Sequence, residues 1–157
     1  MKFVDYTSIS IKAGDGGDGC IAFLREKFRP KGGPAGGDGG HGGNVYFQVS
    51  SDLSTLSDLN YKKHYFAGDG ENGKGKNMHG KNGEDIFIRV PQGTIVIDSI
   101  TKQRIVDLVK NNQTYKIASG GNGGFGNARF KTQKITAPRI ANNGKKGDSL
   151  KIDLELK

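Results

Sequence analysis

The stretch GGPAGGDGGHGG, residues 32–43, is the part of the chain that decides its fold. Glycine recurs there every third residue, in two interleaved registers. A period of three is that of a polyproline II helix, which has no internal hydrogen bonds, whereas helices and strands have periods of 3.6 and 2. Glycine also lets another backbone approach closely, because no Cβ intervenes. We therefore predict packed polyproline II segments whose structural glycines are Gly33, Gly36, Gly37, Gly39, Gly40, Gly42 and Gly43.

The same glycine spacing recurs along the chain, at Gly14 and Gly17, at Gly70 and Gly73, and at Gly120, Gly123 and Gly126. A collagen-like fold is excluded, because the glycine repeat is interrupted and the chain contains only 4 prolines. A flexible glycine linker is the alternative, but a linker has no need to keep a register. Several short segments from one chain, packed side by side, explain the pattern better.

The composition indicates one domain with a small apolar core. The chain has 157 residues, of which 33% are hydrophobic and 26 are glycine. Its single cysteine, Cys20, cannot form an internal disulfide and fits a reducing compartment. The sequence has neither a long apolar run typical of a membrane span nor an apolar signal core near its start. We therefore expect a cytoplasmic protein.

Positive charge is concentrated in three loop-like stretches. The formal net charge is +8, and basic residues cluster in residues 25–31 (REKFRPK), 74–81 (KGKNMHGK) and 129–146. The last two stretches contain no acidic residue. Clustering of this kind is the electrostatic pattern of nucleic-acid binding. The alternative is a solvated surface with ordinary lysines.

Short alternating apolar runs predict about six to eight strands, hence an all-β small antiparallel barrel or sandwich. In residues 149–157, Leu150, Ile152 and Leu154 alternate with charged residues. Residues 54–60 suggest a short helix. We assign residues 1–13, 44–60, 84–118 and 148–157 to a β base. The glycine-rich projection then comprises residues 14–43, 61–83 and 119–147, so that 1–157 form a single domain.

Several nucleotide-binding motifs are almost present but incomplete. Gly14, Gly16 and Gly19 satisfy G-x-G-x-x-G, yet no helix or second parallel strand is predicted after them. The stretches 68–75 (GDGENGKG) and 75–82 (GKNMHGKN) approach a Walker motif but lack its Ser or Thr. We therefore expect this chain alone not to hydrolyse a nucleoside triphosphate, and we find no catalytic constellation.

The acidic residues among the glycines could bind a cation, but their chemistry favours a structural role. Asp15, Asp18 and Asp38 each follow glycine. Polyproline II segments leave many backbone N–H groups open, and a carboxylate is a good acceptor for them. The three histidines lack a ligand-spaced partner. We expect the carboxylates to accept backbone hydrogen bonds and predict no metal site.

Long ordered motifs give the chain a resemblance to a known family. Residues 3–45 (FVDYTSISIKAGDGGDGCIAFLREKFRPKGGPAGGDGGHGGNV), 75–96 (GKNMHGKNGEDIFIRVPQGTIV) and 120–131 (GGNGGFGNARFK) resemble the amino-terminal domain of the Obg GTPases. The resemblance covers essentially the whole chain. It implies an Obg fold, in which six glycine-rich polyproline II helices project from a small β-barrel. It also implies a GTPase domain beginning where this sequence ends, which would use GTP and Mg²⁺.

The resemblance further implies a ribosome-binding function. Family members bind the large ribosomal subunit and its 23S-type rRNA, and they act in ribosome assembly and stress control, with stress-regulatory proteins as further partners. We expect a monomer. The alternative functions are a structural or protein-interaction module without RNA, and a nucleotide-binding enzyme. By position, the rRNA-binding residues would be Arg25, Lys27, Arg29, Lys31, Lys76, Lys81 and Arg139, with Phe28, Met78 and His79 packing against bases.

Overall fold

The computed structural model describes residues 6–24 and 32–157. Eight strands form two sheets, and a single turn of α-helix, α1, covers part of one of them. Alternating apolar residues make the strands, and turn residues separate them. The elements are β1 Tyr6–Lys12, β2 Val45–Val49, α1 Ser57–Tyr61, β3 His64–Phe66, β4 Ile86–Val90, β5 Thr94–Asp98, β6 Arg104–Leu108, β7 Thr114–Ala118 and β8 Ser149–Leu156.

The two sheets enclose one apolar core. The larger sheet has the order β3-β1-β8-β5-β6, and the smaller has the order β4-β2-β7. Phe47 of β2 and Ile11 of β1 are among the largest fully buried side chains. On β8 the inward-facing Ile152 and Leu154 are buried as the alternation predicts. The prediction of an all-β base is therefore confirmed.

Of the predicted barrel or sandwich, the described residues form two open sheets and no closed barrel, and not every strand pair is antiparallel. Among the described residues, the edges of the two sheets are not hydrogen-bonded to each other, so both sheets are open. A sandwich and a barrel bury the same alternating residues, which is why alternation alone did not distinguish them. Two pairings are also parallel, namely β1 with β3 and β2 with β4. In addition, β3 belongs to a sheet, although residues 61–83 were assigned to the projection.

Six extended glycine-rich segments continue directly from strands at one end of the base. Segments 1, 3 and 5 (residues 14–22, 67–74 and 119–127) lead away from β1, β3 and β7. Segments 2, 4 and 6 (residues 34–44, 78–85 and 142–148) lead back into β2, β4 and β8. This direction of travel explains the parallel pairs: β1 and β3 both run outward, while β2 and β4 both run inward.

Backbone hydrogen bonds tie the segments together at three-residue intervals. Between segments 1 and 2, the N–H groups of Gly14, Gly17 and Cys20 donate to Gly43, Gly40 and Gly37 at 2.9, 2.8 and 3.0 Å. The interval equals the three residues per turn of a polyproline II helix. Because such helices lack internal hydrogen bonds, these contacts between segments supply the partners that the backbone needs.

The glycines face neighbouring backbones with no room for a side chain. A Cβ atom on Gly39 would lie 1.9 Å from the carbonyl oxygen of Gly17, and one on Gly42 would lie 1.9 Å from that of Gly14. Similar approaches occur at Gly36, Gly37, Gly40 and Gly43, whereas a Cβ on Gly33 would meet only the Lys131 Nζ at 3.9 Å. Gly33 thus differs from the other glycines of the decisive stretch, because the direction in which its Cβ would point is open.

Candidate nucleic-acid interface

Side chains that follow the glycines link the six segments through a relay of two sets of hydrogen bonds. Side chains of segments 3 and 4 accept hydrogen bonds from backbone N–H groups of segments 1 and 2, and the side chains of segments 1 and 2 accept them in turn from segments 5 and 6. The first set is Asp69, Asn72, His79, Asn82 and Asp85. The second set is Asp15, Asp18, Asp38, His41 and Asn44.

The relay confirms the predicted role of the three aspartates. Asp15 accepts from Gly147 at 2.9 Å, Asp18 from Gly144 at 2.8 Å, and Asp38 from Gly126 at 2.9 Å. Within the described residues, no group of three or more His, Cys, Asp or Glu side chains is placed to hold a metal ion. The carboxylates therefore contribute to packing of the segments.

The end of the projection farthest from the base is where three connections meet, and we call it the tip. It comprises the described residues 22–24, 32–35, 74–78 and 127–141. The backbone N–H of Asn77 donates to the Ala35 carbonyl at 2.7 Å, and the guanidinium of Arg139 lies 5.4 Å from the Phe23 ring centroid. Loops that are far apart in sequence thus form one continuous surface.

Asn127 holds the tip together from inside. Its side chain is fully buried. The amide nitrogen Nδ2 donates to the carbonyls of Ala22 and Pro138 at 3.0 and 2.9 Å, while Oδ1 accepts from the N–H of Gly36 at 2.8 Å. The backbone N–H of Asn127 donates to Cys20. One buried amide therefore joins segments 1 and 2 to the loop before segment 6.

The turn at residues 74–78 exposes Lys76 in a conformation that favours glycine. Lys76 and Asn77 both have left-handed backbones, with φ of 59° and 56°. A left-handed backbone costs a residue with a side chain on the order of 1 kcal/mol. Such strain tends to persist at functional positions. Lys76 is exposed and forms no ion pair with a described carboxylate.

A second arginine, Arg129, is used internally. Its guanidinium contacts Asp38 Oδ2, with Nη2 at 2.7 Å and Nε at 2.9 Å, and it lies 5.1 Å from the Phe125 ring centroid. Burial raises the pKa of Asp38, but the hydrogen bonds from Arg129 and Gly126 and the neighbouring positive charges lower the pKa below its ordinary value overall. This pair fixes the start of the long tip loop to segment 2.

The predicted contact residues lie in different parts of the molecule. Lys76 and Arg139 are exposed at the tip, whereas Lys81, which is also exposed, lies three residues back from Met78, with its backbone carbonyl beside Gly40. At about 3.1 Å per residue, this offset is about 9 Å. Arg25, Lys27, Arg29 and Lys31, together with Phe28, lie outside the described residues. Met78 and His79 are exposed, and His79 Nδ1 accepts the N–H of Asp38 at 2.9 Å.

Asn127 and Arg129 were missed by sequence reasoning. An asparagine after Gly126 resembles the other Asx residues that follow glycine, and nothing local marks Asn127 as buried. Arg129 was counted only as one charge in a basic stretch. Its pairing with Asp38 spans 91 residues, so it depends on the packing of segments 2 and 5.

The two near-Walker stretches are structural parts of the bundle. Residues 68–74 of the first stretch lie in segment 3, and residues 75–82 form the turn and the beginning of segment 4. Their amides are already donors to neighbouring backbones: Gly70 to Asp15, Gly73 to Asp18 and Gly80 to Asp38. A phosphate-binding loop needs free N–H groups that converge on the ligand. These stretches therefore do not fit a GTP phosphate chain.

The chain is similar to known proteins over almost its whole length. The family model described as GTP1/OBG matches residues 4–157. The chain belongs to the GTP1/OBG family. It is 58% identical over 156 residues to GTPase Obg of Aquifex aeolicus (strain VF5), covering 99% of this chain and 46% of that relative. It is 54% identical over 157 residues to GTPase Obg of Chlorobaculum parvum, covering 100% of this chain and 47% of the relative.

A third relative shows how the length differs. GTPase Obg of Geobacillus kaustophilus is 54% identical over 155 residues, which cover 99% of this chain and 36% of the relative. The chain thus spans half or less of the length of these GTPases. The structure corresponds to the Obg domain that the sequence resembled. In the part of the chain that the structure describes, no helix is long and apolar enough to cross a membrane.

Proposed function

We propose that this chain is the RNA-docking module of a ribosome-associated GTPase. In this proposal the tip contacts 23S-type rRNA of the large ribosomal subunit during subunit assembly and stress control, in the cytoplasm, and the chain acts as a monomeric single domain. GTP hydrolysis with Mg²⁺ would belong to a further domain of the whole protein. Stress-regulatory proteins would be additional partners.

The observation that carries the proposal is the meeting of basic loops at the end of a narrow, stiff projection. Lys76 and Arg139 are exposed there, on loops that Asn127 and Asn77 hold together. The tip loop 127–141 contains four basic residues and no acid, and one of the four, Arg129, is paired with Asp38. Positive side chains fixed on a rigid support suit phosphate contacts, which position a protein on RNA without reading sequence.

The packing supports a projection that does not bend on docking. Ordering glycine backbone costs on the order of 1–2 kcal/mol per residue. The segments recover this cost through hydrogen bonds at each layer and through the side-chain relay. A rod of this kind can reach a deep, narrow RNA site while the base stays outside it.

Co-sedimentation with purified large ribosomal subunits over a salt series tests the proposal. We expect binding that weakens steeply with salt, because docked cations release counterions from RNA. The double variant Lys76→Glu and Arg139→Glu should lose most of this binding. Lys110→Glu, at the end of the base away from the projection, is the matched control. Equal loss in both variants, or loss in neither, would contradict docking through the tip.

A further inference from the structure

A groove runs along the flank of the projection, between segments 5 and 6. Its volume is about 430 Å³, which lies within the roughly 300–1,000 Å³ typical of small-molecule sites. The residues that line it are Asn122, Gly123, Gly124, Phe125, Asn142, Asn143 and Lys145. The groove is thus a separate feature from the tip loops that carry Lys76 and Arg139.

The three asparagine side chains of the groove do not take part in the relay of hydrogen bonds. In segments 1 to 4, side chains after the glycines accept an N–H from the next segment, as Asp18 does from Gly144. In segments 5 and 6 only some side chains do so: Asp148 Oδ2 accepts the N–H of Ser119, and Asn127 Oδ1 accepts that of Gly36. By contrast, the side-chain amides of Asn122, Asn142 and Asn143 make no hydrogen bond to another described residue, although the backbone N–H of Asn142 donates to Phe125. Three donor–acceptor groups therefore line one groove with their capacity unused.

An asparagine amide matches the edge of a nucleobase. Each side-chain amide offers an N–H donor pair beside a carbonyl acceptor, and base edges present the same two kinds of group side by side. Phe125 adds an aromatic ring that is 48% exposed. Its position is fixed because the Arg129 guanidinium lies 5.1 Å from its centroid, and Arg129 is itself held by Asp38. A fixed, half-exposed ring is suited to stacking on a base.

The charge of the groove selects an anionic ligand. Lys145 lines it, and no described carboxylate does. Lys145 forms no ion pair with a described acidic residue, whereas its neighbour Lys146 lies 4.0 Å from Asp15. A base-stacking ring, three amides and one lysine therefore correspond to the base and phosphate of a nucleotide.

We propose that this groove binds one unpaired nucleotide of a single-stranded RNA. The base stacks on Phe125, its edge bonds to the asparagine amides, and a phosphate contacts Lys145. A paired base does not fit, because in a duplex its faces are stacked on neighbouring bases and its Watson–Crick edge is already paired. The inference rests on the proposed function only for the class of ligand, and it adds a second RNA contact on a different face.

Fluorescence anisotropy with a short, unstructured, end-labelled RNA at low salt tests this site. We expect binding of the wild-type chain to the single strand and weaker binding to the same sequence as a duplex. Phe125→Leu should weaken single-strand binding about tenfold, given the usual contribution of a base–aromatic stack. Phe125→Tyr should keep it. Asn143→Ala and Lys145→Gln should each weaken it by a smaller factor.

Two control variants separate the groove from other aromatic and basic surfaces. Phe66→Leu removes a ring that is 65% exposed on the base, and Lys110→Gln removes an exposed charge at the end of the base away from the projection. Both should bind the short RNA as the wild type does. Circular dichroism and the thermal midpoint of each variant show whether its fold is intact, and Phe125→Tyr tests the ring even if Phe125→Leu unfolds.

Several results would overturn the assignment. No binding of the single strand, equal binding of the duplex, or unchanged binding by Phe125→Leu would each do so. Adenosine monophosphate competing as strongly as the oligonucleotide would reassign the groove to a free nucleotide. Co-sedimentation with large subunits distinguishes the two proposals. If the groove does not bind RNA, the Lys76 and Arg139 double variant should still lose binding to large subunits. If that double variant binds large subunits normally, the groove variants should still bind the short RNA more weakly than the wild type.

Discussion

The N–H of Gly36 donates a hydrogen bond of 2.8 Å to Asn127 Oδ1, and the two residues are 91 positions apart in the chain. The same oxygen lies 3.3 Å from the N–H of Ala22, and the Asn127 amide nitrogen donates to Ala22 and Pro138. The tip is thus organised around a buried side chain, whereas the rest of the projection is organised around backbone contacts. The surface position of the basic loops depends on this amide.

Asn127→Ala should destabilise the domain strongly. The substitution leaves backbone donors and acceptors of Gly36, Ala22 and Pro138 buried without partners, at about 1–3 kcal/mol for each unsatisfied group. We expect the free energy of unfolding to fall by about 3 kcal/mol, as measured by urea denaturation. Asn143→Ala is the matched control, because Asn143 is exposed and should change stability by less than about 0.5 kcal/mol. Similar values for the two variants would show that the buried network is unimportant.

Gly39→Ala should prevent or severely weaken folding of the projection. The new Cβ would lie 1.9 Å from the Gly17 carbonyl oxygen and 2.2 Å from its carbon, and a backbone cannot move aside as a side chain can. We expect a loss above about 4 kcal/mol. In Gly33→Ala the Cβ meets only the mobile end of Lys131 at 3.9 Å, so this control should be neutral or slightly stabilising. Thermal denaturation of both variants makes the comparison, and equal midpoints would contradict close packing.

Much of the architecture follows from local patterns. The glycine register predicted close packing of backbones, because only a residue without a Cβ tolerates approaches such as that of Gly39 to Gly17. Alternation predicted the inward face of β8, with Ile152 and Leu154 buried. The glycine-flanked aspartates could be interpreted correctly from chemistry alone, since unpaired N–H groups need acceptors.

Relations between distant segments could not be predicted in the same way. Whether β1 pairs with β3 in parallel depends on the direction in which two segments leave the base, and three-residue β3 is too short to show alternation. The burial of Asn127 depends on three converging loops. Clustering of charge in the sequence also failed to predict position in space. Lys81 belongs to the same basic stretch as Lys76, yet its backbone lies beside Gly40, back from the tip.

Acid should weaken the projection through Asp15 and Asp38. The pKa of Asp15 is lowered by the hydrogen bond from Lys12 and by the Gly147 N–H, and the pKa of Asp38 is lowered overall despite burial, through Arg129 and Gly126. A lowered folded pKa adds stability above the unfolded value of about 3.9, and this stability is lost as pH falls through the folded value. We expect the free energy of unfolding to fall below about pH 4.

Asp38→Asn tests the assignment of that acid sensitivity. The amide oxygen can still accept from Gly126, but it carries no charge for Arg129. The variant should be less stable than the wild type at neutral pH and should lose less stability on acidification. Urea denaturation at a series of pH values gives both quantities. An acid response as large as that of the wild type would assign the effect to other carboxylates.

The salt dependence of ribosome binding should show whether an individual lysine contacts an RNA phosphate. If the Lys76 ammonium contacts a phosphate, Lys76→Gln should weaken binding and lower the slope of log K against log salt by about 1. Lys81→Gln should have a smaller effect on both, since Lys81 lies about 9 Å back along its segment. Co-sedimentation over the salt series measures the two slopes. A larger effect of Lys81 would place the RNA along the flank at segment 4 instead of at the tip.

Lys76→Gly should change stability and binding in opposite directions. The left-handed backbone of Lys76, with φ of 59°, costs a lysine on the order of 1 kcal/mol that glycine does not incur, so the variant should be more stable by about that amount. Its binding to large subunits should weaken, because the exposed charge is lost. Asn112→Gly, at φ 63° in a turn of the base, should gain a little stability without any change in binding. A Lys76→Gly variant that is more stable and binds equally well would show that the strained lysine is not retained for docking.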